Sequence, residues 1–373
     1  MMRYGTIAVS AALFSALAQT TQQAPRRVLS PEVKPDKTVT FRFRSPSSNE
    51  VLLARGGQRI PMQKGEDGVW TVTTAPLAPD LYGYSFVADG VSLMDPVNPL
   101  IVPNLLNPQS MVHIPGDGLP WDVANVPHGT VQRRFYHSNI VGDDRDFYVY
   151  TPPGYDPIAR KQYPVLYLLH GFSDDASGWT AVGQAHVILD NLIAQGKAQP
   201  MLIVMTLGYG ALEILSADRS AAGYPALRQR SFNKFRDALF EEVMPVVEKE
   251  YRVAKDRNMR AIAGLSMGGA ETLFIGLNNL NRFAYIGAFS AGAVGDDQFQ
   301  KLDGSTANSQ LRLFWISCGV DDGLLDSNRK FVEFMKSKNL EVKLRETPGA
   351  HTWMVWRRNL TEFAPLLFQR KSS

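Results

Sequence analysis

The sequence predicts two unlike halves: a small all-β sandwich over residues 38–115, then a mostly parallel α/β sheet with helices on both faces over 131–373. Three observations carry this. Apolar residues alternate with period two in the first half, and no helix-period segment interrupts it. From about residue 130, strand-like and helix-like segments alternate, the pattern of a parallel sheet with crossover helices.

In chain order, residues 1–18 read as an export signal. Arg3 supplies a positive start, Ile7 to Leu17 is mostly apolar, and Ala16-Leu17-Ala18 offers a small-x-small cleavage pattern. The apolar stretch, about eleven residues, is too short for a stable membrane span, and no later stretch reaches ~18. A secreted or periplasmic protein with no stable membrane insertion is expected. Residues 19–37 form a polar, Pro-containing spacer.

In the first half, Thr38–Arg44 alternates like a half-buried strand, and Val51–Leu53, Val69–Thr73 and Tyr82–Val87 follow at short intervals. Asp67-Gly68 and Asp89-Gly90 between such runs are hairpin signals. The expectation is an immunoglobulin-like sandwich. A Pro-punctuated linker, 116–130, leads onward.

In the second half, Asp146–Thr151, Val165–Leu169, Met201–Met205, Met259–Leu265, Phe283–Phe289, Leu311–Cys318 and Val342–Glu346 read as strands. Val165–Leu169 is nearly all apolar, as in a strand buried on both faces. Helices are expected at Ala181–Gln195, Phe232–Tyr251, Gly269–Leu277, Arg329–Lys338 and Val355–Phe368.

Composition narrows the chemistry. With 45% hydrophobic and 20% charged residues over 373 positions, the chain is an ordinary globular protein. A net charge of +3 without a basic run excludes a phosphate-tracking surface, so no nucleic-acid partner is expected. The single cysteine excludes a disulfide framework and a multi-Cys metal site. Cys318, in an apolar strand, reads as buried and inert.

Gly264-Leu265-Ser266-Met267-Gly268 lies between a strand and a helix. A serine hydroxyl is a poor nucleophile and needs a base within reach and donors for the developing oxyanion. A sharp strand-to-helix turn lifts the hydroxyl clear, crowds the backbone so that glycine is required on either side, and aims free N–H groups at the carbonyl. Ser266 is therefore the candidate nucleophile, and the Met267 N–H an oxyanion donor.

Of six histidines only His351 follows the serine, which makes it the candidate base. His113, His128, His137 and His186 read as structural. The orienting acid belongs in the loop Gly319-Val320-Asp321-Asp322-Gly323 after a strand. Asp322 is the first choice, Asp321 the second and Asp326 the third. A second oxyanion donor fits Phe172 in His170-Gly171-Phe172, with His170 holding that loop in place.

These residues together resemble the feruloyl and acetylxylan esterases, the esterase-D-like branch of the α/β-hydrolases. The likeness runs through Tyr150–Tyr155, Leu168–Gly171, Leu207–Gly210, Ala263–Gly269 and Gly349–Trp353. It covers about residues 130 to 370. It implies an α/β-hydrolase fold and an acid at the end of a Gly-x-x-Asp stretch, which favours Asp322. No cofactor or metal is expected, since the serine chemistry needs none and no His/Asp/Glu cluster stands out at ligand spacing. Residues 38–115 resemble the early-set sandwich found before such esterases, a relative of carbohydrate-binding modules.

The expected substrate is an ester-bearing polysaccharide or oligosaccharide. Trp179, Tyr209 and Trp353 are expected to wall the substrate site, and 211–230, with Arg219, Arg228 and Arg230, to cover it. Three alternatives stand beside this reading: a siderophore trilactone esterase, a sugar acyltransferase, and a carbohydrate-binding protein on a decayed hydrolase scaffold.

Overall fold

The computed structural model describes residues 28–369; the export signal expected at 1–18 and the start of the spacer lie outside them. The first half builds two antiparallel sheets. Its strands are β1 (Glu32–Val33), β2 (Val39–Arg44), β3 (Val51–Arg55), β4 (Gln58–Pro61), β5 (Gln63–Lys64), β6 (Val69–Thr73), β7 (Asp80–Ala88), β8 (Val91–Leu93), β9 (Ile101–Val102) and β10 (Gln109–Ile114). One sheet runs β1-β2-β6-β5; the other runs β4-β3-β7-β10-β9 with β8 on β7.

Their inward faces bury Phe41, Phe43, Leu53, Trp70, Tyr84, Phe86, Val112 and Ile114 in one core. Asp89-Gly90 makes a two-residue hairpin, with Ala88 opposite Val91. Asp67-Gly68 instead ends a longer turn between β5 and β6. The turn Gly56-Gly57 between β3 and β4 carried no alternating flank to announce it.

The second half builds one sheet of eight strands. They are β11 (Thr130–Ser138), β12 (Asp143–Thr151), β13 (Val165–Leu169), β14 (Leu202–Thr206), β15 (Arg260–Leu265), β16 (Tyr285–Phe289), β17 (Leu313–Gly319) and β18 (Lys343–Thr347), in the order β11-β12-β14-β13-β15-β16-β17-β18. From β14 onward every pairing is parallel, while β11 and β12 are antiparallel. The helices are α1 (Gly178–Ala181), α2 (Ala185–Ala194), α3 (Tyr224–Ala238), α4 (Met244–Glu250), α5 (Ser266–Leu277), α6 (Gly304–Gln310), α7 (Leu325–Ser337) and α8 (Trp353–Phe363).

Successive residues of the central strands feed opposite faces, as the two-residue period dictates. Ala261, Ala263 and Leu265 pack with α2 and α8, whereas Ile262 packs with α3, α4, α5 and α7. The long helix expected over 232–251 starts earlier, at Tyr224, and is interrupted by a π-helical turn at Leu239–Val243. Pro245, just beyond, has no N–H for the helical ladder, and the widened turn absorbs that gap.

The halves meet at a buried ion pair. Asp80, at the start of β7, and Arg357, on α8, are both fully buried. Arg357 Nη2 donates to the Asp80 carboxylate and to Leu81 O, and Nη1 donates to Val182 O at 2.8 Å. Arg358 adds a half-exposed contact to the same carboxylate at 3.2 Å.

Candidate active site

The site grows from the crossing of β15 into α5. Ser266 opens the helix at φ +50, a conformation costly for a residue with a side chain and held here by its surroundings. A Cβ added at Gly264 would lie 2.5 Å from Gly268 O, and one at Gly268 would lie 2.3 Å from His170 O. Glycine at these two positions is what lets the turn close. Met267 follows in the first turn of α5, where helical N–H groups have no carbonyl four residues back.

Three loops at the carboxyl ends of β15, β17 and β18 converge. His351 Nε2 lies 2.9 Å from Ser266 Oγ, and His351 Nδ1 lies 2.8 Å from Asp322 Oδ2. With Asp322 ionised, Nδ1–H donates to the carboxylate and Nε2 is left to accept from the serine hydroxyl. Burial opposes charge on Asp322, but hydrogen bonds from His351 and from the Leu324 N–H hold its carboxyl below the usual range.

Asp321 is exposed and contributes its backbone N–H to Gly349 O, which ties the acid loop to the histidine loop; Asp326 is exposed on α7. The His351 and Trp356 rings meet edge to face with centroids 4.9 Å apart, and Trp356, Trp353 and Trp179 continue as a chain of edge-to-face rings. Cys318 is buried, and burial together with Asp322 pushes its thiol up to about 12, so it stays protonated.

A cavity of about 630 Å³ opens over Ser266 and His351. Phe172 and Trp353 line it. Trp179 and Tyr209 do not, and the expectation that they wall the site is corrected. Trp179 is buried with its indole N–H on Leu169 O, and Tyr209 is fully buried with its hydroxyl on Gly171 O and Asp174 O. Both brace the loop after β13 from behind, because each polar tip has a backbone acceptor to satisfy in the interior.

His170 shares that bracing: Nδ1 donates to Gly171 O, Nε2 accepts from the Gly208 N–H, and burial pulls its pKa down to about 4. Segment 211–230 does not line the cavity. Arg219 stacks on Phe172 at 4.0 Å, Arg228 donates to Ala293 O, and Arg230 pairs with Glu213. The other histidines carry carboxylate partners at His113, His128 and His137, to Asp122, Asp190 and Asp144.

The remaining lining was invisible in the sequence. Arg55, Tyr82, Asn104, Leu106, Gln109 and Met111, all from the first half, form the wall facing Ser266. Asp174 also lines it, accepting from Asn104 Nδ2 at 3.3 Å. Burial raises Asp174 from 3.8 to about 7, against the lowering effect of hydrogen bonds from Gly171 and Asn104.

The folded chain therefore keeps a proton on Asp174 that the unfolded chain gives up between those values. Stability from the neutral carboxyl is full below about pH 4 and is lost as pH rises through about 7. Asp174→Asn, which retains an acceptor for Asn104, should melt several degrees above the parent at pH 8 and no higher at pH 4. Calorimetric scans at the two pH values check this, and an offset independent of pH would contradict it.

A parallel sheet with an antiparallel edge, and a serine at positive φ between its central strand and the following helix, define an α/β-hydrolase fold. Residues 138–367 match the Esterase family model, described as "Putative esterase", and the chain belongs to that family.

Among its relatives, the endo-1,4-beta-xylanase/feruloyl esterase of Xylanibacter ruminicola is 29% identical over 351 residues, 91% of this chain but 46% of that protein. The chain thus spans less than half of that relative. An acetyl esterase of Caldicellulosiruptor saccharolyticus is 20% identical over 240 residues, 54% of this chain and 82% of its own length.

The ferulic acid esterase of Anaeromyces mucronatus, solved with ferulic acid, superposes with a TM-score of 0.59 at 25% identity, covering 68% of this chain and 96% of that one. The enterobactin esterase of Shigella flexneri superposes at 0.65 and 19% identity, over 88% and 92%, a likeness of fold. Among the described residues no cluster of His, Cys, Asp and Glu fits a metal, and no helix is long and apolar enough to cross a membrane.

Proposed function

We propose that the protein hydrolyses acyl esters, feruloyl or acetyl, carried on plant-type polysaccharides such as xylan. The observation that carries this reading is the Ser266–His351–Asp322 relay at the floor of a cavity. Ser266 Oγ attacks the ester carbonyl while His351 Nε2 takes its proton. Asp322 holds the imidazole in the required tautomer and stabilises its charged form.

The oxyanion forms against the N–H groups of Met267 and Phe172. Collapse expels the sugar alcohol, which takes the proton from His351, and leaves acyl-Ser266. Water then repeats the sequence and frees the acid. No step calls for a cofactor.

In this reading the sandwich expected at 38–115 starts earlier, with β1 at Glu32–Val33, the linker expected at 116–130 ends before β11 opens at Thr130, and the esterase domain follows, exported behind the leader at 1–18. Export fits a substrate too large to enter a cell.

The test is a panel of methyl ferulate, acetylated xylan, p-nitrophenyl acetate and a ferric siderophore trilactone on the mature protein. Release of ferulate or acetate at rates well above that of trilactone opening is expected. Sharp preference for the trilactone would transfer the assignment to the siderophore esterases, whose match extends over both halves of the chain. Acylation of an added sugar acceptor in place of hydrolysis would make the protein a transferase.

A further inference from the structure

The loop after β13 runs directly past the nucleophile. A Cβ added at Gly171 would lie 3.4 Å from Ser266 Cβ, and Phe172, the next residue, lines the cavity. Among the described residues the Phe172 N–H has no protein acceptor, which leaves it free for a substrate oxygen. An oxyanion donor is useful only when it is held at one angle before the charge develops. The backbone on either side of Phe172 sets that angle.

From inside, His170, Tyr209 and Trp179 brace the loop. Just after Phe172 the backbone takes a conformation that needs a hold. Ser173 has φ +67, in the left-handed region that a residue with a side chain occupies at a cost. Among the described residues, the hydrogen bonds to its carbonyl and to its hydroxyl both come from the other half of the chain. The Leu105 N–H donates to Ser173 O at 2.7 Å, and Asn104 Nδ2 donates to Ser173 Oγ at 2.9 Å.

Asn104 is itself fixed. Its Oδ1 accepts from the N–H groups of Leu106 at 3.0 Å and Asn107 at 2.9 Å, which closes the connection between β9 and β10 around the side chain. Nδ2 is left aimed at Ser173 and Asp174. One amide thus uses its oxygen on its own turn and its nitrogen on the loop beside the serine.

We propose that Asn104 is a positioning residue for the oxyanion hole: by holding Ser173 in its left-handed conformation, it turns the Phe172 N–H toward the carbonyl that Ser266 attacks. It acts through the backbone of the loop and is neither acid nor base. The role given to Phe172 rests on the ester reading above, so the experiment separates the two.

Asn104→Ala should lower kcat about tenfold or more on p-nitrophenyl acetate and methyl ferulate alike, with KM within about twofold, since the donor works in the transition state. Ser173→Ala, which removes the hydroxyl that Nδ2 grips, should lower kcat in the parent and cost nothing further in Asn104→Ala, because the two side chains act through one bond.

Phenylboronic acid supplies a second readout. Ser266 Oγ adds to the boron while His351 takes the hydroxyl proton, and the tetrahedral boronate carries the negative charge with one oxygen at the oxyanion position. Asn104→Ala should weaken this adduct by the factor it removes from kcat. The affinity of Ser266→Ala protein for methyl ferulate should not change when Asn104→Ala is added.

An Asn104→Ala protein that keeps kcat and boronate affinity, or one that loses ferulate affinity and keeps kcat, overturns the assignment. Additive losses in the double variant overturn it too. Should Asn104→Ala fail to fold, Ser173→Ala decides: kcat and boronate affinity must fall together, and either one unchanged overturns the role. A parent that binds the boronate and loses it with Asn104→Ala, yet cleaves no ester of the panel, upholds the positioning role and removes the ester reading. A parent that neither cleaves an ester nor binds the boronate overturns both.

Discussion

Ser266→Ala is expected to lower turnover by on the order of 10⁴-fold or more, with little change in melting temperature. The hydroxyl is the only atom removed, and alanine tolerates the φ of +50 about as well as serine does. His351→Ala should cost a similar factor, because the alkoxide cannot form without a base at Nε2. The Ser266→Ala, His351→Ala double variant should be scarcely worse than either single one, since the pair acts as a unit.

Asp322→Asn should cost less than either while leaving the fold intact. Its amide donates to Nδ1, so the proton moves to Nε2, where the serine needs an acceptor. Asp321→Asn should be nearly silent, as the side chain is exposed and its loop contact is made by the backbone. Steady-state rates on the best ester of the panel check the series. Full activity in Ser266→Ala would remove the nucleophile, and greater damage from Asp321→Asn than from Asp322→Asn would move the acid to its neighbour.

The second large effect is on stability. Asp80→Ala leaves the Arg357 guanidinium fully buried without its countercharge, a loss of about 3–5 kcal/mol. Arg358→Ala should cost far less, because that side chain is half-exposed and solvent screens its contact. Removing both buried charges with Asp80→Leu and Arg357→Met should recover much of the loss. Urea unfolding of the three variants decides the matter: a double variant as unstable as Asp80→Ala would mean that packing, and not the stranded charge, sets the cost. Asp80→Ala should also lower kcat/KM, since α8 begins just after His351 and the sandwich lines the cavity.

Why Ser266, His351 and Asp322 could be read in advance is local. Each sits where a parallel strand ends, and glycines two residues either side of the serine mark a turn that nothing larger can make. The buried strands were equally plain, being short and almost wholly apolar. Strand β11 was missed because it is an edge strand, mostly exposed along its length and without a repeating apolar face.

Trp179 and Tyr209 were misplaced because loop position alone does not say which way a ring turns. Their backbone acceptors, Leu169 and Gly171, take them inward. Asp174 carries no pattern of its own in the loop after β13; only its burial beside Asn104 singles it out. The wall formed by Arg55, Tyr82 and Gln109 leaves no sequence trace, since it depends on how two separately patterned halves dock.

That docking also sets a condition on assembly. Asp80 and Arg357 are 277 positions apart, so the contact between the halves closes only once both have entered the fold. A chain cut before residue 357 would leave the Asp80 carboxylate without its buried partner and the sandwich without the helix it docks on. The pocket over Ser266 therefore takes its far wall from a contact that neither half can make by itself.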